Sequence, residues 1–368
     1  MSPSNLKATE SSTPDIVAVL RSHENYVLRQ PQGKRAFLRF VNLDGIYLSK
    51  RRLDEIDFSG ATLRGANFAA ANLSRASLSC TDLTNANFAG TNLSQADLRG
   101  ARVSGANFDN ADMERSDFRQ ATIAVPGKSS WTVVGQGQSL ANVHFKNCSL
   151  KGAKLNHANL KDANFDGALL NGASFKGAVL GNASFEGAVL IGVEIAEMCI
   201  PKERLINCLT NPGPELRKQL PCLMEIVNSA QVWAETGGRQ GRVAVLDGED
   251  IRLLAPVMKG RKLTKMSCKS IIAVGVDFSG CELQTANFEG ADLRGAIFTN
   301  ADLRGASFKG ANLAHANFGL ANLLPLALDS GTTVSTSLEN AILSRANFEG
   351  AQRVTTSAAS KQEFQLDC

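Results

Sequence analysis

The residues of this chain best suited to proton transfer, nucleophilic attack or metal binding are four histidines and eight cysteines. Acid–base work by a histidine needs a carboxylate or nucleophile within hydrogen-bond reach. His23 stands three residues before Tyr26 with no such partner identifiable, so it reads as a packing or capping residue of an N-terminal helix. His144, His157 and His315 each fall among small polar residues. The cysteines, at 80, 148, 199, 208, 222, 268, 281 and 368, form no CxxC pair, and their spacing suggests no converging metal ligands. They read as reduced structural thiols. The glycine-rich "GQGQS" at 135–139 lacks the Lys-Ser/Thr ending of a phosphate-binding loop and reads as a plain loop. No cofactor, metal or small-molecule substrate is expected, and the chain reads as a non-enzyme.

The remaining groups that could do chemistry are carboxylates such as Asp82, Asp97, Asp292 and Asp302, and these recur at a fixed interval. From Phe58 to Ile123 every fifth residue is large and apolar. A second run goes from Leu140 to Ile195, and a third from Phe278 to Leu323, resuming at Leu338, Leu343 and Phe348. Ala mostly stands two places before each large residue, Asn or Asp often lies between them, and polar residues or Gly follow. A period of five fits neither a helix nor a strand. A second period lies on top: Phe68, Phe88 and Phe108 are twenty apart, as are Phe145, Phe165 and Phe185. A chain that turns a square with five residues per side closes after twenty, so these residues would stack. The carboxylates then face turns or solvent. Cys148 and Cys281 take Ala positions as small fillers, while Cys80 falls at an outward turn.

The pattern Ala-Asp/Asn-Leu/Phe-polar-polar resembles the signature of the pentapeptide repeat family over about two-thirds of the chain. The resemblance implies an all-β solenoid, a right-handed quadrilateral β-helix. Large residues would fill its interior, and Gly, Asn and Asp would suit its corners.

Two breaks and two matched starts divide the chain. "AVPGKSSWTVVGQGQS" at 124–139 shifts the phase and carries Trp131, and "LPLALDSGTTVSTS" at 324–337 interrupts the third run. "GKRAFL" at 33–38 resembles "GRVAVL" at 241–246, and each follows a plausible helix with an aromatic near its end, Tyr26 or Trp233. "SKRRL" at 49–53 likewise matches "KGRKL" at 259–263. This suggests an ancient duplication. The expected organisation is a disordered leader over 1–15, module A over 16–198, a helical insertion or cap over 199–235, module B over 236–351 and a polar tail over 352–368. Both modules are expected to be β-helices, module A beginning with a short helical cap.

The formal net charge is only +4, yet positive charge concentrates at the module starts. Residues 252–269 hold Arg252, Lys259, Arg261, Lys262, Lys265 and Lys269 with no acid. Solvated, self-protecting coil edges are one reading. An acidic partner, an anionic lipid surface or nucleic acid is the other; no aromatic ladder accompanies the charge, which disfavours single-stranded nucleic acid, and nucleic acid is not the expected partner. No run of eighteen apolar residues exists, so no membrane span is expected, and the expected compartment is the cytoplasm. Repeat solenoids present long walls suited to protein binding. The expected function is therefore a protein-interaction scaffold, with Trp131, Arg261, Lys262 and Lys265 as candidate contact residues. The resemblance implies an alternative, since some pentapeptide repeat proteins bind DNA gyrase or topoisomerase IV by imitating duplex DNA. Such mimicry needs an acidic surface, from which this chain departs. A secreted effector built on a repeat domain is a third class.

Overall fold

A computed structural model describes residues 15–119, 140, 142–328 and 331–353, together with the backbone of two strands, β1 (Ala121–Pro126) and β2 (Trp131–Gln136). The chain separates into two compact units, one of residues 1–188 with 193–207, the other of 189–192 with 208–368.

The period of five is one side of a four-sided coil. Asn67 bridges Asn87 and Asn87 bridges Asn107, all in parallel, and the same step of twenty recurs on every side. Each side contributes one bridging residue rather than an extended strand, because the chain turns again after five residues. The backbone is nonetheless satisfied. Phe68 N–H donates to Asn87 O at 2.7 Å, Asn87 N–H returns to Ala66 O at 2.9 Å, and Ala71 N–H closes the corner turn on Phe68 O at 2.9 Å.

Large residues fill the interior, where Phe58, Phe68, Phe88, Phe108, Leu63, Leu73 and their repeats are fully buried. In the first unit one wall is an unbroken phenylalanine stack, Phe68–Phe88–Phe108–Phe145–Phe165–Phe185. In the second unit Phe278, Phe298, Phe318 and Phe348 stack on one wall and Phe288 and Phe308 on another, meeting edge to face. Ala beside each large residue is the filler that fits. Where Thr81, Thr91, Cys148 or Cys281 replaces it, the buried hydroxyl or thiol donates to a carbonyl of the preceding coil: Phe58, Phe68, Phe108 and Met258 respectively. Burial pushes the Cys281 thiol up to about 11, so it stays protonated.

The breaks leave the stacking intact. The antiparallel hairpin β1–β2 leaves the first unit's solenoid part-way along it, and the coil then resumes in register: Asn107 bridges His144, thirty-seven residues on. In the second unit the short hairpin β3 (Leu326–Ala327) with β4 (Thr333–Val334) is looped out the same way, and Ser307 bridges Ser337.

Each unit begins with a helix laid over its first coil. Helix α1 (Ile16–Val27) is N-capped by the Asp15 carboxylate, which accepts from Val17 N and Ala18 N, and it buries Leu20 and His23. Helix α2 (Pro214–Glu235) buries Leu223, Val227 and Ala230 in the core of the second unit. It starts on Pro214, a residue suited to the first helical turn. A short helix α3 (Ala255–Met258) lies within the first coil of that unit.

Candidate interaction surface

The outward side chains decide what the walls can do. Asn or Asp before each large residue accepts the N–H two places on, as Asn67 does from Ala69 and Asn287 from Glu289. This local bond pins the corner and explains why short carbonyl-bearing side chains recur there. The aspartates are further engaged by arginine. Arg39 pairs with Asp57, Arg99 with Asp97, Arg119 with Asp117, Arg252 with Asp250, Arg294 with Asp292 and Arg304 with Asp302. Asp82 is held by both Arg64 and Arg102 at 2.6 Å. Burial acts to raise the Asp82 carboxyl. Hydrogen bonds from the Thr84 hydroxyl, Arg64 and the Thr84 amide, with the charge of Arg102, win and bring it down to about 2.

The histidines are structural in placement. His23 is buried, its Nδ1 accepts the Ala36 N–H at 3.1 Å, and its ring stacks on Tyr26. With Nδ1 an acceptor, the proton of the neutral ring sits on Nε2. His144 occupies an outward bridging column between Asn107 and Asn164. His157 and His315 stand at left-handed corners, φ 58° and 59°. Among the described residues no group of three His, Cys, Asp or Glu could hold a metal ion. Seven cysteines lie in no disulfide bond; Cys368 lies outside the described residues. So do 137–139 of the glycine-rich stretch.

The candidate contact residues divide. Arg261, Lys262 and Lys265 lie together on the first coil of the second unit, but they are not equally available. Arg261 Nε donates to Val257 O at 3.0 Å, and Lys262 Nζ pairs with Glu282 at 3.1 Å. Lys265 is exposed, and its ammonium stands 5.8 Å over the ring of Trp233 at the end of α2. Trp131 opens β2, and its side chain lies outside the described residues. Trp233 was legible only as an aromatic near a helix end. Its contact with Lys265 spans thirty-two residues, which no local pattern reports. At the first unit Arg51 makes a two-point pair with Glu24 at 2.9 Å, and Arg75 pairs with Glu55. Of that start, Arg39 and Arg51 are thus paired, while Arg21, Arg29, Lys34, Arg35, Lys50 and Arg52 have no carboxylate within 4.0 Å among the described residues. No helix among the described residues is long and apolar enough to cross a membrane.

Residues 51–125 match the family model described as a pentapeptide repeat region. Residues 136–167, 168–200, 274–310 and 286–323 match the model for pentapeptide repeats, in eight copies. Together the matches span about half of the chain. A search of curated proteins returns no match. Among solved structures, the chain is similar to HetL, a pentapeptide repeat protein involved in heterocyst differentiation regulation in the cyanobacterium Nostoc sp. strain PCC 7120. The two are 21% identical over 88% of this chain and 94% of HetL, at a TM-score of 0.19. A pentapeptide repeat protein of the Arabidopsis thaliana thylakoid lumen is 24% identical, over 42% of this chain and 80% of its own, at 0.20. QnrB1, a plasmid-mediated fluoroquinolone resistance protein, is 17% identical, over 52% and 97%, also at 0.20. At such values no function passes from these proteins to this chain.

Proposed function

The chain belongs to the pentapeptide repeat family, and from that premise we propose that it is a non-enzymatic scaffold that binds another protein. The observation that carries this reading is the engagement of the wall carboxylates. Asp57, Asp82, Asp97, Asp117, Asp250, Asp292 and Asp302 each hold a corner amide, an arginine or both. Such groups serve the regularity of a wall, and regular walls suit broad protein contacts. The same pairing opposes the alternative of DNA mimicry at gyrase or topoisomerase IV, which requires a wall of uncompensated acid.

The finer architecture belongs to the same reading. The coil is right-handed, and the two units arose by duplication, each covered at its start by its own helix, α1 or α2. The compartment in this reading is the cytoplasm, where cysteines are kept reduced. The partner is acidic and engages the basic coil start at Arg261, Lys262 and Lys265, with the hairpin bearing Trp131 as a further contact feature. Affinity capture from the native cell tests this, comparing wild type with the triple reversal of those three residues to Glu, at low and high salt. Capture that weakens in salt and in the variant is expected, because exposed charge is screened within about 8 Å at physiological ionic strength. Capture retained in full by the variant and insensitive to salt removes the basic start from the binding surface.

A further inference from the structure

The two unit starts share one architecture, allowing for small insertions, and differ in which charges stand around the covering helix. Lys34 N–H donates to Ser22 O at 3.1 Å, and Arg242 N–H donates to Ser229 O at 3.4 Å. Gly33 and Gly241 each lie so close to the backbone of the covering helix that a Cβ would collide with it, at Tyr26 N and Trp233 N among other atoms. Tyr26 therefore corresponds to Trp233, and Glu24 to Gln231. Downstream, "SKRRLDEID" at 49–57 corresponds to "KGRKLTKMS" at 259–267. In that register Glu55 matches Lys265. Both stand at a left-handed corner, φ 63° and 62°, and both touch the aromatic ring of the helix above: the Tyr26 hydroxyl donates to Glu55 at 3.0 Å, and Lys265 lies over Trp233.

One charge is inverted across this equivalence and three acids give way to neutral residues, while in the other direction Arg39 becomes Asp247 and Arg35 becomes Val243. Glu24, Asp54, Glu55 and Asp57 of the first unit become Gln231, Thr264, Lys265 and Ser267 of the second, and Ser59 becomes Lys269. In the first unit Glu24, Glu55 and Asp57 neutralise Arg51, Arg75 and Arg39. In the second unit Gln231 accepts only a backbone amide, that of Lys262. Arg239 and Arg242, in the turn that folds back on Trp233, and Lys265 have no carboxylate within 4.0 Å among the described residues. The nearby acids are engaged elsewhere: Glu235 accepts from Gln231, and Asp247 from Ser267 and the Lys269 amide.

We propose that the start of the second unit is the docking site for the acidic partner, and that a run of glutamate or aspartate from that protein pairs with the cations around Trp233 that have no carboxylate of this chain within reach. This rests on the scaffold reading above and names where and by what chemistry it acts. Lys265, held by the cation–π contact with its remaining protons free, receives one carboxylate, and Arg239 and Arg242 receive its neighbours. Nucleic acid fits less well, because Lys265 occupies the ring face on which a base would stack.

The test reads the tryptophan fluorescence of the full chain, to which Trp233 contributes a reporter at the site. Deca-glutamate should change its fluorescence saturably, with affinity falling in salt; deca-glutamine should not. Lys265→Glu should weaken binding about tenfold or more, while Lys265→Arg keeps it. The glutamate variant is expected to fold, since Glu55 occupies the matching corner of the first unit. No response to deca-glutamate, an undiminished response in Lys265→Glu, or an equal response to deca-thymidylate would overturn the proposal. If the chain still captures a protein from its native cell while ignoring deca-glutamate, the scaffold reading stands and this site does not.

Discussion

Phe68 and Phe88 lie face to face with ring centroids 4.8 Å apart and planes 4° from parallel. That separation lies within the range of stacked aromatic pairs. Here the backbone ladder imposes the arrangement, because neighbouring strands stand about 4.8 Å apart. The ladder therefore sets the ring spacing.

Phe88→Ala should consequently open a cavity between two rings that the ladder prevents from closing on it. The expected loss is roughly 3–5 kcal/mol of stability by denaturant unfolding. A variant as stable as wild type would show that the stack contributes no packing energy.

Gly33→Ala and Gly65→Ala separate two reasons for glycine. Gly65 sits at a corner with φ 63° and open space around it, so alanine there costs only backbone strain, about 1 kcal/mol. At Gly33 a Cβ meets the α1 backbone and must displace the helix. Gly33→Ala should be the more destabilising by unfolding titration, and hydrogen exchange in α1 should accelerate. Equal costs would contradict the close docking of α1.

His23 gives acid sensitivity to one unit only. Burial lowers its pKa below the ordinary 6.5, although carbonyls of Asp54 and Leu53 and the Asp54 carboxylate oppose this; Arg35 assists it, and Glu24, Arg51 and Glu55 lie nearby. The unfolded chain thus binds the proton more readily than the folded one. Stability should fall as pH drops below 6.5 and level off once the folded histidine also titrates. His23→Ala reproduces Ala230 of α2 and should flatten this slope in thermal unfolding. An unchanged slope would place the sensitivity elsewhere.

Asp82 acts in a lower window. Its carboxyl is held at about 2 against an ordinary 3.8, so its contribution is full above 3.8 and disappears as pH falls toward 2. Asp82→Asn should remove on the order of 1–2 kcal/mol at neutral pH, the half-exposed arginines reducing the full value. The variant should match wild type near pH 2. A cost independent of pH would mean the charge does not matter.

The sequence carried the coil, because a square helix writes its period directly: Phe68, Phe88 and Phe108 are core neighbours and lie twenty apart. It also carried the matched starts through "GKRAFL" and "GRVAVL". What it did not carry was the pairing of outward groups. Arg261 and Lys265 look alike as basic residues, yet one is anchored on Val257 and the other stands free over Trp233. Charge compensation depends on which side chains meet across coils and from the covering helix, and those contacts are not local in the chain.

The most direct measurement is zero-length carbodiimide cross-linking of the full chain to a protein it captures from its native cell, with the joined peptides mapped. This chemistry links an amine only to a carboxylate in contact with it. Cross-links should concentrate at Lys265, joined to glutamate or aspartate of the partner, and should vanish at high salt. Cross-links confined to lysines of the first unit, such as Lys146, Lys154 or Lys176, would contradict an acidic partner docked at the start of the second.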